Sequence, residues 1–179
     1  MIRNTCVLVL ILLLDGIGTA SFAIDNPISS EPPAARSSSM PDESTTRDLF
    51  DRWERVWHEG QYDLIPSCVG PNYIRHDEKG DRTVTREAYA AEIAAMRTER
   101  PDIRVVVYDH SFEGDRAWFR FSFKWTDPKT GEPRSRAGFQ SYRVEGGKLA
   151  ETWVMLLPLG SAWTDAVAQE HWTSPPPIK

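Results

Sequence analysis

Gly146 and Gly147 stand side by side between two runs of strand composition, residues 139–145 and 148–157. A two-residue turn needs backbone with φ > 0, which glycine adopts without strain, so the pair predicts a tight β-hairpin. The turn also fixes a register. Val144 opposes Leu149, Tyr142 opposes Glu151, Gln140 opposes Trp153, and Gly138 opposes Met155, all on one face. The opposite face carries Phe139, Ser141, Arg143, Ala150, Thr152, Val154 and Leu156. Both faces are too apolar for a sheet wet on one side, which predicts helices over one and another subunit over the other. The first face mixes aromatics with Gln140, Tyr142 and Glu151. Either these groups line a ligand pocket, where a few convergent polar groups suit apolar walls, or Glu151 and Tyr142 satisfy each other across the strands.

Upstream, the hydrophobic period changes from two to near 3.6. Leu49, Phe50, Trp53, Val56 and Trp57 form one stripe over residues 45–59, predicting an amphipathic helix capped by Ser44 or Thr45 and ended by Gly60. Residues 62–68 suggest a short second helix, 72–77 a short strand, and 78–83 a polar loop. Thr85 caps a third helix to about Glu99, with Tyr89, Ile93 and Met96 on its buried face. Two long strands follow, 103–112 and 116–126. The second places Phe119, Phe121, Phe123 and Trp125 on one face. Residues 161–172 read as a short C-terminal helix capped by Ser161. Helices first and strands after argue an α+β domain.

The N-terminus has the form of an export signal: Arg3, then an apolar run from Val7 to Leu14, then Ser21-Phe22-Ala23 as a cleavage site. Asp15 ends the run too early to span a bilayer. The expected organisation is a signal over 1–23, a Pro- and Ser-rich linker over 24–43, one folded domain over 44–172 and a flexible tail over 173–179, with an exported mature protein and no stable membrane insertion. Cys68 is then the only cysteine of the mature chain, which leaves no internal disulfide. Among 179 residues the formal net charge is −5, which gives no reason to expect a nucleic-acid partner. No CxxC or HExxH spacing suggests zinc, and a metal site from His76, Asp77 and His110 rests on residue type alone.

Tyr142-Arg143-Val144, then Gly147-Lys148-Leu149, then Glu151-x-Trp153 resembles the last hairpin of SnoaL-like polyketide cyclases, members of the nuclear transport factor 2-like superfamily. The order of helices and strands agrees over residues 45–159. The resemblance implies a cone: a curved antiparallel sheet wrapped around three N-terminal helices, with a pocket inside. Ketosteroid isomerases, distant relatives, carry their general base on the short strand after the second helix, which matches His76. Their oxyanion-binding acid matches Gln140, and their oxyanion tyrosine matches Trp53, which has no hydroxyl. The acid/base aspartate of SnoaL-like cyclases matches Leu157, so that carboxylate is absent.

These readings combine into one expected concave site. His76 and Gln140 are its catalytic candidates, and Trp53, Trp57, Trp125, Tyr142, Trp153 and Met155 are its ligand-binding walls. Imidazole titrates near neutrality and can take a proton from a carbon next to a carbonyl, with Gln140 as a neutral oxyanion donor. The expected function is a lyase, isomerase or cyclase without cofactor or metal, acting on a small apolar carbonyl compound; the alternative is a module that binds such a ligand without chemistry. Phe139, Val154 and Leu156 on the face opposite the site predict a homodimer.

Overall fold

The computed structural model describes residues 42–177. The expected export signal, and all of the linker before Asp42, lie outside them. Helix α1 (Glu43–Glu59) buries the stripe seen in the sequence: Leu49, Phe50, Trp53, Val56 and Trp57. It starts one turn or less before the expected cap, after Asp42, and ends at Gly60 with φ 71°. A 3-10 turn (Tyr62–Leu64) and the one-turn helix α2 (Ile65–Cys68) lead into strand β1 (Val69–Asp77). The stretch expected as a polar loop forms β2 (Gly80–Thr85), an exposed edge strand paired antiparallel to β1. Helix α3 (Arg86–Glu99) is capped as expected: the Thr85 hydroxyl accepts from the Ala88 N–H at 3.1 Å. Strands β3 (Arg104–Glu113), β4 (Arg116–Thr126), β5 (Pro133–Glu145) and β6 (Lys148–Leu156) complete the chain of elements.

The six strands form one open sheet in the order β2-β1-β6-β5-β4-β3. Every pairing is antiparallel except one: β1 runs parallel to β6, so the sheet is mixed. Its inner face packs on the helices. Phe50 of α1 sits against Phe112, Phe119 and Tyr142, Trp57 against Phe123, and Tyr89 of α3 against Tyr73 of β1.

The Gly146-Gly147 turn forms, with φ of 57° and 72°. The register beyond it differs from expectation. Val144 does oppose Leu149, but Arg143 then opposes Glu151, Tyr142 opposes Thr152, Ser141 opposes Trp153, Gln140 opposes Val154 and Phe139 opposes Met155. One extra residue in β6, at Ala150, makes a bulge there. A one-residue slip exchanges the two faces of a strand. Thr152, Val154 and Leu156 therefore share the inner face with Tyr142 and Gln140. Glu151, Trp153 and Met155 share the outer face with Arg143, Ser141 and Phe139.

After β6 the chain does not form the expected C-terminal helix. It runs as an irregular strap. Trp163 lies on the outer face against Phe139, 5.0 Å between ring centroids. The Gln169 N–H donates to the Val107 carbonyl at 2.8 Å, on the free edge of β3. Trp172 is buried between α1 and β3, donating its indole N–H to the Val105 carbonyl at 2.9 Å. Thr173 donates to Asp51 at 2.6 Å, and the Thr173 carbonyl accepts from Arg47 at 2.7 Å. His58 also meets the Val105 backbone, its Nε2 accepting from the Val105 N–H at 3.2 Å.

Candidate functional site

Alternation along β1 sets the chemistry of the cone. Tyr73, Arg75 and Asp77 face the helices, while His76 faces outward. Arg75 is only 8% exposed. Its Nε and Nη2 donate to one Asp77 oxygen at 2.9 and 2.7 Å, and its guanidinium carbon lies 4.2 Å from the Tyr89 ring centroid. Asp77 also accepts from Arg82 at 3.0 Å, and Arg82 reaches Glu92 of α3 at 2.7 Å. This network closes one end of a cavity of about 150 Å³. Trp57, Ile93, Met96, Phe123 and Leu156 supply apolar walls, and Gln140 borders it on the sheet side.

The electrostatics follow from the partners. Burial pushes the Asp77 carboxyl up, but the Arg75 hydrogen bonds, the Lys79 N–H and Arg82 outweigh it and hold the group below the usual carboxylate range. Glu92 is pushed up by burial and pulled further down by Arg82 and Lys79. Burial raises the phenols of Tyr73, Tyr89 and Tyr142, so all three stay neutral donors. Among the described residues, the Arg75 Nη1, the Tyr73 hydroxyl and the Trp53 indole N–H are buried without a hydrogen-bond partner.

His76 lies on the other side of the sheet. Its Nδ1 is 2.8 Å from Asp81 and its Nε2 2.9 Å from Glu151. Its ring stacks on Trp153, 5.0 Å between centroids and 6° from parallel. A ring nitrogen facing a carboxylate donates to it, so two carboxylate partners favour the imidazolium form of the ring. The Glu151 and Asp81 hydrogen bonds raise its pKa accordingly. His76, Trp153, Met155 and the edge of Gln140 border a shallow outer cleft with Trp118 and Phe139.

The single concave site expected from the sequence is thus divided. Trp57 and Gln140 border the inner cavity. Trp53 and Tyr142 lie in the closed core beside it. His76, Trp153 and Met155 are outside, moved there by the β1 orientation and the Ala150 bulge. Trp125 is remote from both, under Arg100 at 5.1 Å from its ring centroid. Gln140 does not extend freely into space; its amide donates to the Thr152 hydroxyl at 3.2 Å. Arg75 and Arg82 escaped the sequence reading, and Asp77 entered it only as a candidate metal ligand. An arginine and aspartate two residues apart on a strand share a face, which was the available signal.

Three helices against an open, curved sheet with a cavity between them define a nuclear transport factor 2-like cone. Residues 50–152 match the model of the SnoaL-like domain. The chain belongs to that family. Among curated proteins, none matches it. Solved structures share the fold at low identity. A polyketide-cyclase candidate from Acidithiobacillus ferrooxidans is 19% identical, with TM-score 0.57 over 65% of this chain and 91% of that one. TsrD from Streptomyces laurentii is 21% identical, with TM-score 0.57 over 65% and 90%. A SnoaL-like polyketide cyclase from Agrobacterium tumefaciens is 17% identical, with TM-score 0.56 over 63% and 91%.

Proposed function

We propose that this chain binds a small, largely apolar molecule inside the cone and holds its polar end by hydrogen bonds. The observation that carries this reading is the pairing of apolar walls with the Arg75–Asp77–Arg82–Glu92 network at one end of the cavity. The lining groups suit holding an oxygen more than removing a proton. Asp77 and Glu92 are weakened as bases by their guanidinium partners, and no histidine lines the cavity. Cyclohexanone, a small apolar carbonyl compound, tests the reading by protein-observed NMR. The expected shifts fall on Trp57, Ile93 and Phe123, and Ile93→Trp removes them by filling the space. Shifts confined to Trp118, Trp153 and Met155 would move ligand binding to the outer cleft and reject the reading.

A second reading keeps cofactor-independent proton transfer, in line with the polyketide-cyclase names of the structural relatives. His76 is its base candidate, because it borders an apolar cleft. Release from Asp81 or Glu151 must come first, since neither ring nitrogen is free. The outer face has a further use: we propose that it pairs two copies of the chain. Trp118 and Phe139 are each 40% exposed and Met155 64%. Side by side on one sheet, they form an apolar surface unusual on a monomer.

A further inference from the structure

The polar end of the cavity leaves a buried hydrogen-bond donor without an acceptor. The lining holds three cations, Arg75, Arg82 and Lys79, and three carboxylates, Asp77, Glu92 and Glu78; Asp77 and Glu92 are each shared by two of the cations, and Glu78 pairs with Arg136. Arg75 spends Nε and Nη2 on Asp77, and its Nη1, with two N–H groups, is buried and unpartnered while the residue lines the cavity. Two further unpartnered donors lie in the closed core beside the cavity, next to Arg75 and Tyr89 and not on the cavity wall. Tyr73, whose hydroxyl is unpartnered, has its ring centroid 5.8 Å from the Arg75 guanidinium carbon. Trp53, with an unpartnered indole N–H, has its ring 5.9 Å from that of Tyr89, on which Arg75 lies. A buried donor without an acceptor is costly, and a buried cation more so. Such a site favours an anionic acceptor over a neutral one.

Size narrows the ligand further. A cavity of about 150 Å³ falls well below ordinary small-molecule pockets, which begin near 300 Å³. A void of this size holds about one benzene ring. We infer that the cavity takes a small monocarboxylate with a single-ring apolar body, its carboxylate on Arg75 and its ring among Trp57, Ile93 and Phe123. A multi-ring polyketide does not fit the same space. This inference rests on the cone cavity being the binding site.

Benzoate is the probe, with benzyl alcohol as its neutral analogue and 2-naphthoate as its larger one, each measured by titration calorimetry at pH 7. Benzoate should bind at least about tenfold tighter than benzyl alcohol, the lower end for a hydrogen bond to a charged group. 2-Naphthoate should bind at least about tenfold more weakly than benzoate, since overfilling a packed site is unfavourable. Met96→Trp fills the cavity and should abolish benzoate binding. Arg75→Met should level benzoate and benzyl alcohol, and the wild-type comparison carries the test even where that variant does not fold. Equal affinity of benzoate and benzyl alcohol for the wild type overturns the anion preference and leaves the cavity as a binding site. Naphthoate binding as well as benzoate overturns the one-ring limit. No binding of benzoate, or binding that survives Met96→Trp, removes the cavity reading and this inference together.

Discussion

Trp172 offers the sharpest test of the packing. Replacing it by alanine removes an indole that is almost wholly buried, in edge contact with His58 at 5.7 Å and close to Phe119 at 6.1 Å. A fully buried Trp→Ala change costs about 3–5 kcal/mol. Two features place this site near the lower end. The Val105 carbonyl, which loses the indole N–H, lies on the edge strand β3 and can take a water in its place. The strap can also lift, so the space opens to water instead of persisting as a void. We expect a loss of about 3 kcal/mol for Trp172→Ala in urea unfolding at neutral pH. Limited proteolysis should cut the same variant within residues 160–175, because the Gln169 and Thr173 contacts depend on the indole anchor. A loss below about 1 kcal/mol with the strap still protected would show that the tail is not part of the core.

Four further outcomes follow from the geometry. Gly138→Ala should destabilise by about 1–3 kcal/mol in the same assay, since the new Cβ would lie 2.7 Å from the Met155 carbonyl oxygen, a backbone atom that cannot rotate away; a neutral result would mean the β5–β6 pair is looser than described. His76 gives a pH signature. Its pKa is raised by Glu151 and Asp81, so the stability it contributes is full below the ordinary histidine value and fades as pH rises through the higher folded-state value; His76→Gln should flatten stability across that window, and an unchanged slope would refute the imidazolium assignment. Met155→Glu should turn a dimer seen by sedimentation into a monomer whose unfolding midpoint no longer depends on protein concentration; wild-type protein already monomeric at about 50 µM would count against pairing through this face. Asp77→Asn should destabilise strongly, by about 3 kcal/mol or more, because it leaves Arg75 charged and buried; a change under about 1 kcal/mol would mean water already serves that guanidinium.

What the sequence made legible was whatever has a period or a cap. The α1 stripe from Leu49 to Trp57, the Thr85 cap and the Gly146-Gly147 turn could each be read because a local rule demands those residue types there. The illegible parts share a different cause. Nothing in Leu149-Ala150-Glu151 marks one extra residue, yet that bulge decides whether Thr152 or Trp153 faces the core. Alternation separated Tyr73 and Arg75 from Ile74 and His76 but could not say which pair turns inward. An arginine is a poor core residue alone; Asp77 and the faces of Tyr73 and Tyr89 make it a good one, and those partners meet only in three dimensions. The β2 strand is polar and half in water, so it has the composition of a loop. Trp172 anchors an aperiodic strap, which no window of hydrophobicity detects.

The strap has a consequence for self-association. β3 is an outer edge of the sheet, and an edge strand offers its free N–H and C=O groups to any other strand that passes. Here the register shifts between Val107 and Asp109, and Gln169 occupies the Val107 carbonyl. The edge is kinked and already engaged midway along its length. A chain shortened before Gln169 would lose the strap's hydrogen bonds to the Val105 and Val107 carbonyls and open those acceptors to intermolecular pairing. The last irregular segment of the domain therefore covers part of an edge that β-sheets otherwise leave open to other strands.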